Sequence, residues 1–155
     1  SPSTFQNRVL RAALAASTIS GRDDERALTS DTGPIDRAST NMNAAMVTER
    51  CAPLVRQLQK AHPHTPIVLV EDRRNANSWL TPVRAKHHDA NHAALQKVFK
   101  QLKADGVKNL YYLSGDALLG DDAEGTTDSS HPNDLGFFRQ ANAFEPVLRK
   151  ALGLN

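Results

Sequence analysis

An intrachain disulfide is excluded at once, because Cys51 is the only cysteine among 155 residues. The redox compartment therefore stays open, and a lone thiol on a helical face reads as a small core residue. No apolar run approaches the roughly 20 residues that a bilayer-spanning helix needs. An excess of one charge is missing too: 19 Lys and Arg face 17 Asp and Glu, for a formal net charge of +2. The basic residues are scattered rather than gathered in a run, so neither nucleic acid nor an acidic membrane is an expected partner. Ser1-Pro2-Ser3-Thr4 has no basic stretch followed by an apolar one, so no targeting segment is legible and the compartment is left open. Lacking an initiator Met, the chain reads as processed, truncated or cut from a longer sequence. There is no internal repeat and no low-complexity tract.

What remains is a composition of 39% hydrophobic and 23% charged residues, which fits one globular domain over residues 1–155. A chain of this length buries a core without staples. Phe5, Val9, Leu10, Ala13 and Leu14 have amphipathic helical spacing. Residues 20–40 are polar and aperiodic, and read as a loop with little order of its own. A second helix is expected from Asn43 to about Ala61, with Ala45, Met46, Pro53, Leu54, Val55 and Leu58 towards one side and a kink or new start at Pro53. Ile67-Val68-Leu69-Val70 is a short β-branched run without alternation, as suits a strand covered on both faces. A helix follows from Val83 to Ala104, with Ala93, Ala94, Val98, Phe99 and Leu102 as its core stripe and Gly106 as its stop. Asn109 to Leu113 is the second strand, and the last helix runs from Asn133 to Leu152. Strands alternating with helices predict an α/β fold with parallel strands and right-handed crossovers.

In open α/β sheets ligand sites gather at the carboxyl ends of the strands. Two polar loops fall there, residues 71–81 and 114–130, and the second ends in Asp128-x-x-His131. A histidine acting as general base needs one ring nitrogen free and the other held by a carboxylate, which fixes the tautomer and stabilises the imidazolium. Three residues of loop suffice to bring Asp128 back beside His131. Pro132 restricts the backbone before it, and Asn133 or Asp134 can cap the helix behind. The spacing alone also fits a simple loop hydrogen bond.

The residues around that pair narrow the choice. At DSSHPNDLGF, residues 128–137, the chain resembles the last block of the SGNH (GDSL-type) hydrolases. The resemblance runs backwards through TPIVLVEDR, GVKNLYYLSGDALLGDD and NMNAAMVTERCAPLVRQL, and so covers most of residues 41–152. It implies a three-layer α/β/α sandwich with a mainly parallel, flavodoxin-like sheet, of which this chain shows fewer strands than the family has. It also implies hydrolysis of carboxylic esters through an acyl-enzyme, with no metal or organic cofactor. Carried over by position, Asp128 is similar to the triad acid and His131 to the base. The family's nucleophile lies in a Gly-Asp-Ser block that this chain does not contain. Ser1-Pro2-Ser3-Thr4-Phe5 is similar to the segment that follows it, so the block is expected just ahead of Ser1. Gly21, in Ser20-Gly21, and Asn41, in Asn41-Met42, are similar to the two oxyanion donors; a turn glycine and a helix cap are their plainer readings. The expected substrate is a small-molecule or carbohydrate ester, a short acyl or acetyl group being favoured. A catalytically dead α/β module that binds glycans or protein is the alternative.

Several other residues carry expectations. Arg73 and Asn75 follow the first strand and are candidates for the substrate rim, or for an ordinary charged surface loop. Trp79 reads as an anchor for its loop more readily than as a sugar platform. His88 and His92, one helical turn apart, invite a metal reading; with no third ligand evident, a polar helix face in water is the expectation. Asp116, Asp121, Asp122 and Glu124 form an acidic loop unlike the spacing of a calcium-binding EF-hand, and read as solvated.

Overall fold

The computed structural model describes residues 42–154. The amino-terminal helix expected near Phe5, the loop of residues 20–40, and the candidate oxyanion residues Gly21 and Asn41 lie outside the described residues.

The described elements, in chain order, are α1 (Ala44–Ala61), β1 (Ile67–Val70), α2 (Pro82–Ala104), β2 (Leu110–Leu113) and α3 (Asp134–Leu152). Each begins where local chemistry favours it. Asn43 caps α1, its side-chain oxygen accepting from Met46 N at 3.0 Å. Pro82 opens α2, where a missing N–H costs nothing. Asn133 caps α3 by accepting from Gly136 N at 3.0 Å. Gly106 takes φ +84° just past the end of α2, a conformation that relieves the last turn. The helix α1 continues through Pro53 without a break, because that residue is exposed and the helix simply forgoes one hydrogen bond there.

The two strands pair in parallel, Ile67 opposite Leu110 and Val70 opposite Leu113. A parallel pair needs a crossover, and α2 supplies it. Ile67 and Leu69 join Val47, Cys51 and Val55 of α1, Leu95, Val98 and Leu102 of α2, and Val107 and Leu110 in one apolar cluster. Val68 points to the other face of β1 and is buried as well. Both faces of β1 are thus covered, as the unbroken apolar run predicts. The carboxyl-terminal helix, α3, makes its main contacts with β2 and β1. The result is α/β, as expected, with a sheet of two strands among the described residues.

The face that α2 turns inward differs from the stripe read in the sequence. His88, His92, Leu95, Val98 and Leu102 are its buried residues, whereas Ala93 is exposed. Two histidines extend the stripe by two turns, and a pattern sought among apolar residues alone shifts its phase past them. Cys51 is 1% exposed, and burial pushes its thiol up to about 11, so it is a core residue and not a nucleophile.

Leu102 is fully enclosed between α1, α2 and the sheet. Leu102→Ala is expected to destabilise the fold by about 2–5 kcal/mol, read from urea denaturation. The neighbouring exposed Lys103→Ala is expected to stay within about 0.5 kcal/mol of wild type.

Candidate active site

The carboxyl ends of β1 and β2 lie side by side, and Glu71 N extends the ladder by donating to Leu113 O at 3.0 Å. Glu71 is therefore held at the sheet's rim with its side chain 1% exposed. Burying a carboxylate is costly unless its lone pairs are filled, and here they are. Its Oε1 accepts from Tyr112 Oη at 2.5 Å and Gln96 Nε2 at 2.9 Å. Its Oε2 accepts from Gly115 N at 2.9 Å and Ser114 Oγ at 3.1 Å, and lies 3.2 Å from His92 Nδ1. Burial by itself raises the carboxyl's pKa, but the bonds from Tyr112, Gly115 and Gln96, with the charge of His92, outweigh it and hold Glu71 below the usual range. Burial, together with the same contact, pushes the Tyr112 phenol far above its ordinary value.

Around this hub the two rim loops are locked together. His92 Nε2 donates to the carbonyl of Asp72 at 2.7 Å. Gly115 lies so close to that carbonyl that any Cβ would overlap it. Arg74 spans the same seam, with Nε 2.5 Å from Asp116 Oδ1 and Nη2 2.8 Å from Asp89 Oδ1. His88 packs edge-on to His92 at a ring separation of 6.1 Å, and burial lowers its pKa. His88 and His92 are thus interior groups, correcting the expectation of a face in water: His92 meets the Asp72 carbonyl and Glu71, and His88 packs against the His92 ring. Glu71, His92 and Asp116 bring ligand atoms within 4.8 Å of one another, the spacing of a cation site. Those atoms are already committed: Oε2 of Glu71 to Gly115 and Ser114, and Oδ1 of Asp116 to the Arg74 guanidinium. The trio is a hydrogen-bond hub.

The loop from β2 then carries the residues singled out by spacing. Asp128 Oδ1 accepts from Ser130 N at 2.9 Å and His131 N at 2.7 Å, while Oδ2 meets His131 Nδ1 at 2.5 Å. Ser129 takes φ +70° to close the turn. The ring bond to His131, followed by the two backbone N–H bonds, holds the Asp128 carboxyl well below the usual carboxylate range. An ionised carboxylate only accepts, so the shared proton sits on Nδ1, and Nε2 is the ring nitrogen that Asp128 leaves unengaged. The imidazole side chain is 76% exposed and open to a reactant. Behind it, Asn133 N donates to Gly125 O at 3.2 Å and Asn133 Nδ2 to Glu124 O at 2.7 Å, and Thr126 bridges Pro132. Gly136 fits against the carbonyl of Gly125 where a Cβ would not. Asp122 forms a two-pronged pair with Arg139 of α3, at 2.6 and 2.5 Å, which fastens the acidic loop to that helix.

The rim candidates are placed differently from one another. Arg73 directs its guanidinium to Ser130, while Asn75 is 9% exposed and closes a turn through its carbonyl, which accepts from Ser78 N at 3.0 Å and Ser78 Oγ at 2.7 Å. Trp79, expected as an anchor, is 78% exposed. The hub itself escaped sequence reasoning. Its signal was Glu71, a carboxylate directly after four apolar strand residues, in phase with a histidine on the buried face of the next helix.

A family model described as the GDSL-like Lipase/Acylhydrolase family matches residues 35–149. The chain belongs to this family. Among solved structures it is similar to a Bacteroides ovatus ATCC 8483 protein assigned as a GDSL-like lipase, with 31% identity and a TM-score of 0.69 over 75% of this chain and 34% of that one. It also shares its fold with the salicylyl-acyltransferase SsfX3 from a tetracycline biosynthetic pathway, at 23% identity and a TM-score of 0.57, covering 71% of this chain and 33% of that one. The chain thus spans about a third of the length of each of these two proteins. No curated protein matches. No described helix is long and apolar enough to cross a membrane.

Because Glu71 is ionised more readily folded than unfolded, it favours the fold above its unfolded pKa of about 4.3, and that contribution is lost as pH falls through the lower folded value. Glu71→Gln is expected to cost about 1–3 kcal/mol near neutrality by turning an amide towards donors. The gap to wild type should then narrow as urea midpoints are measured at successively lower pH below about 4.

Proposed function

We propose that the protein is a serine ester hydrolase working through an acyl-enzyme. The observation that carries this reading is the 2.5 Å contact between Asp128 Oδ2 and His131 Nδ1, which leaves Nε2 free as a base on an exposed turn beside the rim of a GDSL-like fold. In this reading a serine hydroxyl attacks the ester carbonyl while His131 Nε2 takes its proton. The proton then passes to the leaving alcohol, and water repeats the cycle on the acyl-serine. Asp128 orients the ring and stabilises the imidazolium. The hydroxyl is assigned to the family's Gly-Asp-Ser block, which the 155 residues do not contain. Asn41 and the Gly21 N–H are assigned to the developing oxyanion, each donor worth a few kcal/mol in such sites. The substrate is a short acyl ester of a small molecule or carbohydrate, an acetyl group on a sugar being favoured. None of these steps calls on a metal or organic cofactor.

Incubation of the full-length protein with a fluorophosphonate probe and with p-nitrophenyl acetate tests the reading. Labelling of a single serine and steady ester turnover are expected. His131→Ala should abolish labelling, and Asp128→Asn should lower kcat by about 10²–10⁴ through loss of the correct tautomer. A folded full-length protein that neither labels nor turns over would instead be a catalytically dead module.

A further inference from the structure

An imidazole that is three-quarters exposed, on a turn rather than a strand, needs outside support to hold an aim. Within the loop, Asp128 ties down Ser130 and His131, but these bonds fix the turn only against itself. Two contacts reach the turn from the loop after β1. Ala76 N donates to Ser129 O at 2.8 Å. Arg73 donates through Nε to the carbonyl of Ser130 and through Nη2 to its Oγ at 2.9 Å. The guanidinium is part-buried, and its Nη1 lies 3.1 Å from Asp72 Oδ1, so its remaining edge is also engaged. Asp72 is in turn fixed at its carbonyl by His92 and pressed by Gly115.

We infer that Arg73 is a positioning residue for the reaction, a planar clamp that fixes the Asp128–His131 turn to the sheet's rim through Ser130. The inference rests on the proposed roles of Asp128 and His131. It replaces a substrate-contacting role for Arg73, whose donors face protein acceptors. A guanidinium suits the task because its donors are rigidly coplanar and take the carbonyl and hydroxyl of one residue together, which a single ammonium cannot reproduce. With Arg73 removed, the turn keeps its internal bonds but loses its aim. A misplacement of about 1 Å at a reacting group costs on the order of 10²-fold in rate.

Arg73→Ala and Arg73→Lys in the full-length protein provide the test, with circular dichroism to confirm folding. For Arg73→Ala, kcat on p-nitrophenyl acetate should fall about 10²-fold with KM held within about twofold. Arg73→Lys should recover about tenfold of that loss, one donor site of two being restored. Long-range proton–nitrogen spectra of histidine-labelled protein give a readout independent of turnover. The wild type should show one narrow set of His131 ring signals with the proton on Nδ1, and Arg73→Ala the same tautomer with its ring signals broadened and shifted as the turn moves. A raised KM at unchanged kcat would make Arg73 a substrate contact and overturn the inference, as would a His131 spectrum indifferent to Arg73→Ala. If the wild type neither labels nor turns over, the ester-hydrolase reading fails, while the His131 spectra still decide whether Arg73 holds the turn.

Discussion

The described structure depends on the buried carboxylate of Glu71. It stands where β1 ends, and it draws donors from every element that must meet at the rim: Gln96 and His92 from α2, Tyr112 from β2, and Ser114 and Gly115 from the loop beyond. A two-stranded parallel pair has little intrinsic stability. The carboxylate gives it a polar lock at the end where the loops diverge, complementing the apolar cluster below. Such a lock is costly to leave half-filled, so it enforces one arrangement of both loops. The Asp128–His131 turn inherits its location from that arrangement, through Asp72 and its neighbours.

The strands, the three described helices and the Asp128–His131 pair were legible because each rests on local chemistry. An unbroken run of Ile67, Val68, Leu69 and Val70 has few uses other than a strand covered on both sides. Asn133 followed by a helical pattern announces a cap. An acid and base three residues apart need only a turn to meet. The hub was illegible because its members lie 20 to 44 residues apart and belong to no common pattern. Histidines were the particular obstacle. His88 and His92 look solvated when hydrophobicity is the only criterion, yet they complete the inner face of α2, His92 because rim acceptors meet it and His88 by packing on that ring. Arg73 was placed at the right loop by sequence, but which way its side chain turns is a tertiary fact.

The helices divide unequally around the sheet. Helices α1 and α2 bury a continuous stripe, whereas α3 has only Gly136 buried, and Leu135, Phe137 and Phe138 stand exposed. The acidic loop compensates in part: the bidentate Asp122–Arg139 pair and the cap at Asn133 fasten α3 to the rim through polar contacts.

Because Asp128 and His131 share one turn, with the same carboxylate accepting from both the ring and the backbone of the histidine, they travel as a rigid pair. Triads whose acid and base sit on separate strands must hold two distances against thermal motion. In the proposed triad, breathing of the surrounding protein leaves one of them untouched, and alignment reduces to a single coordinate: how far the imidazole stands from the proposed nucleophile.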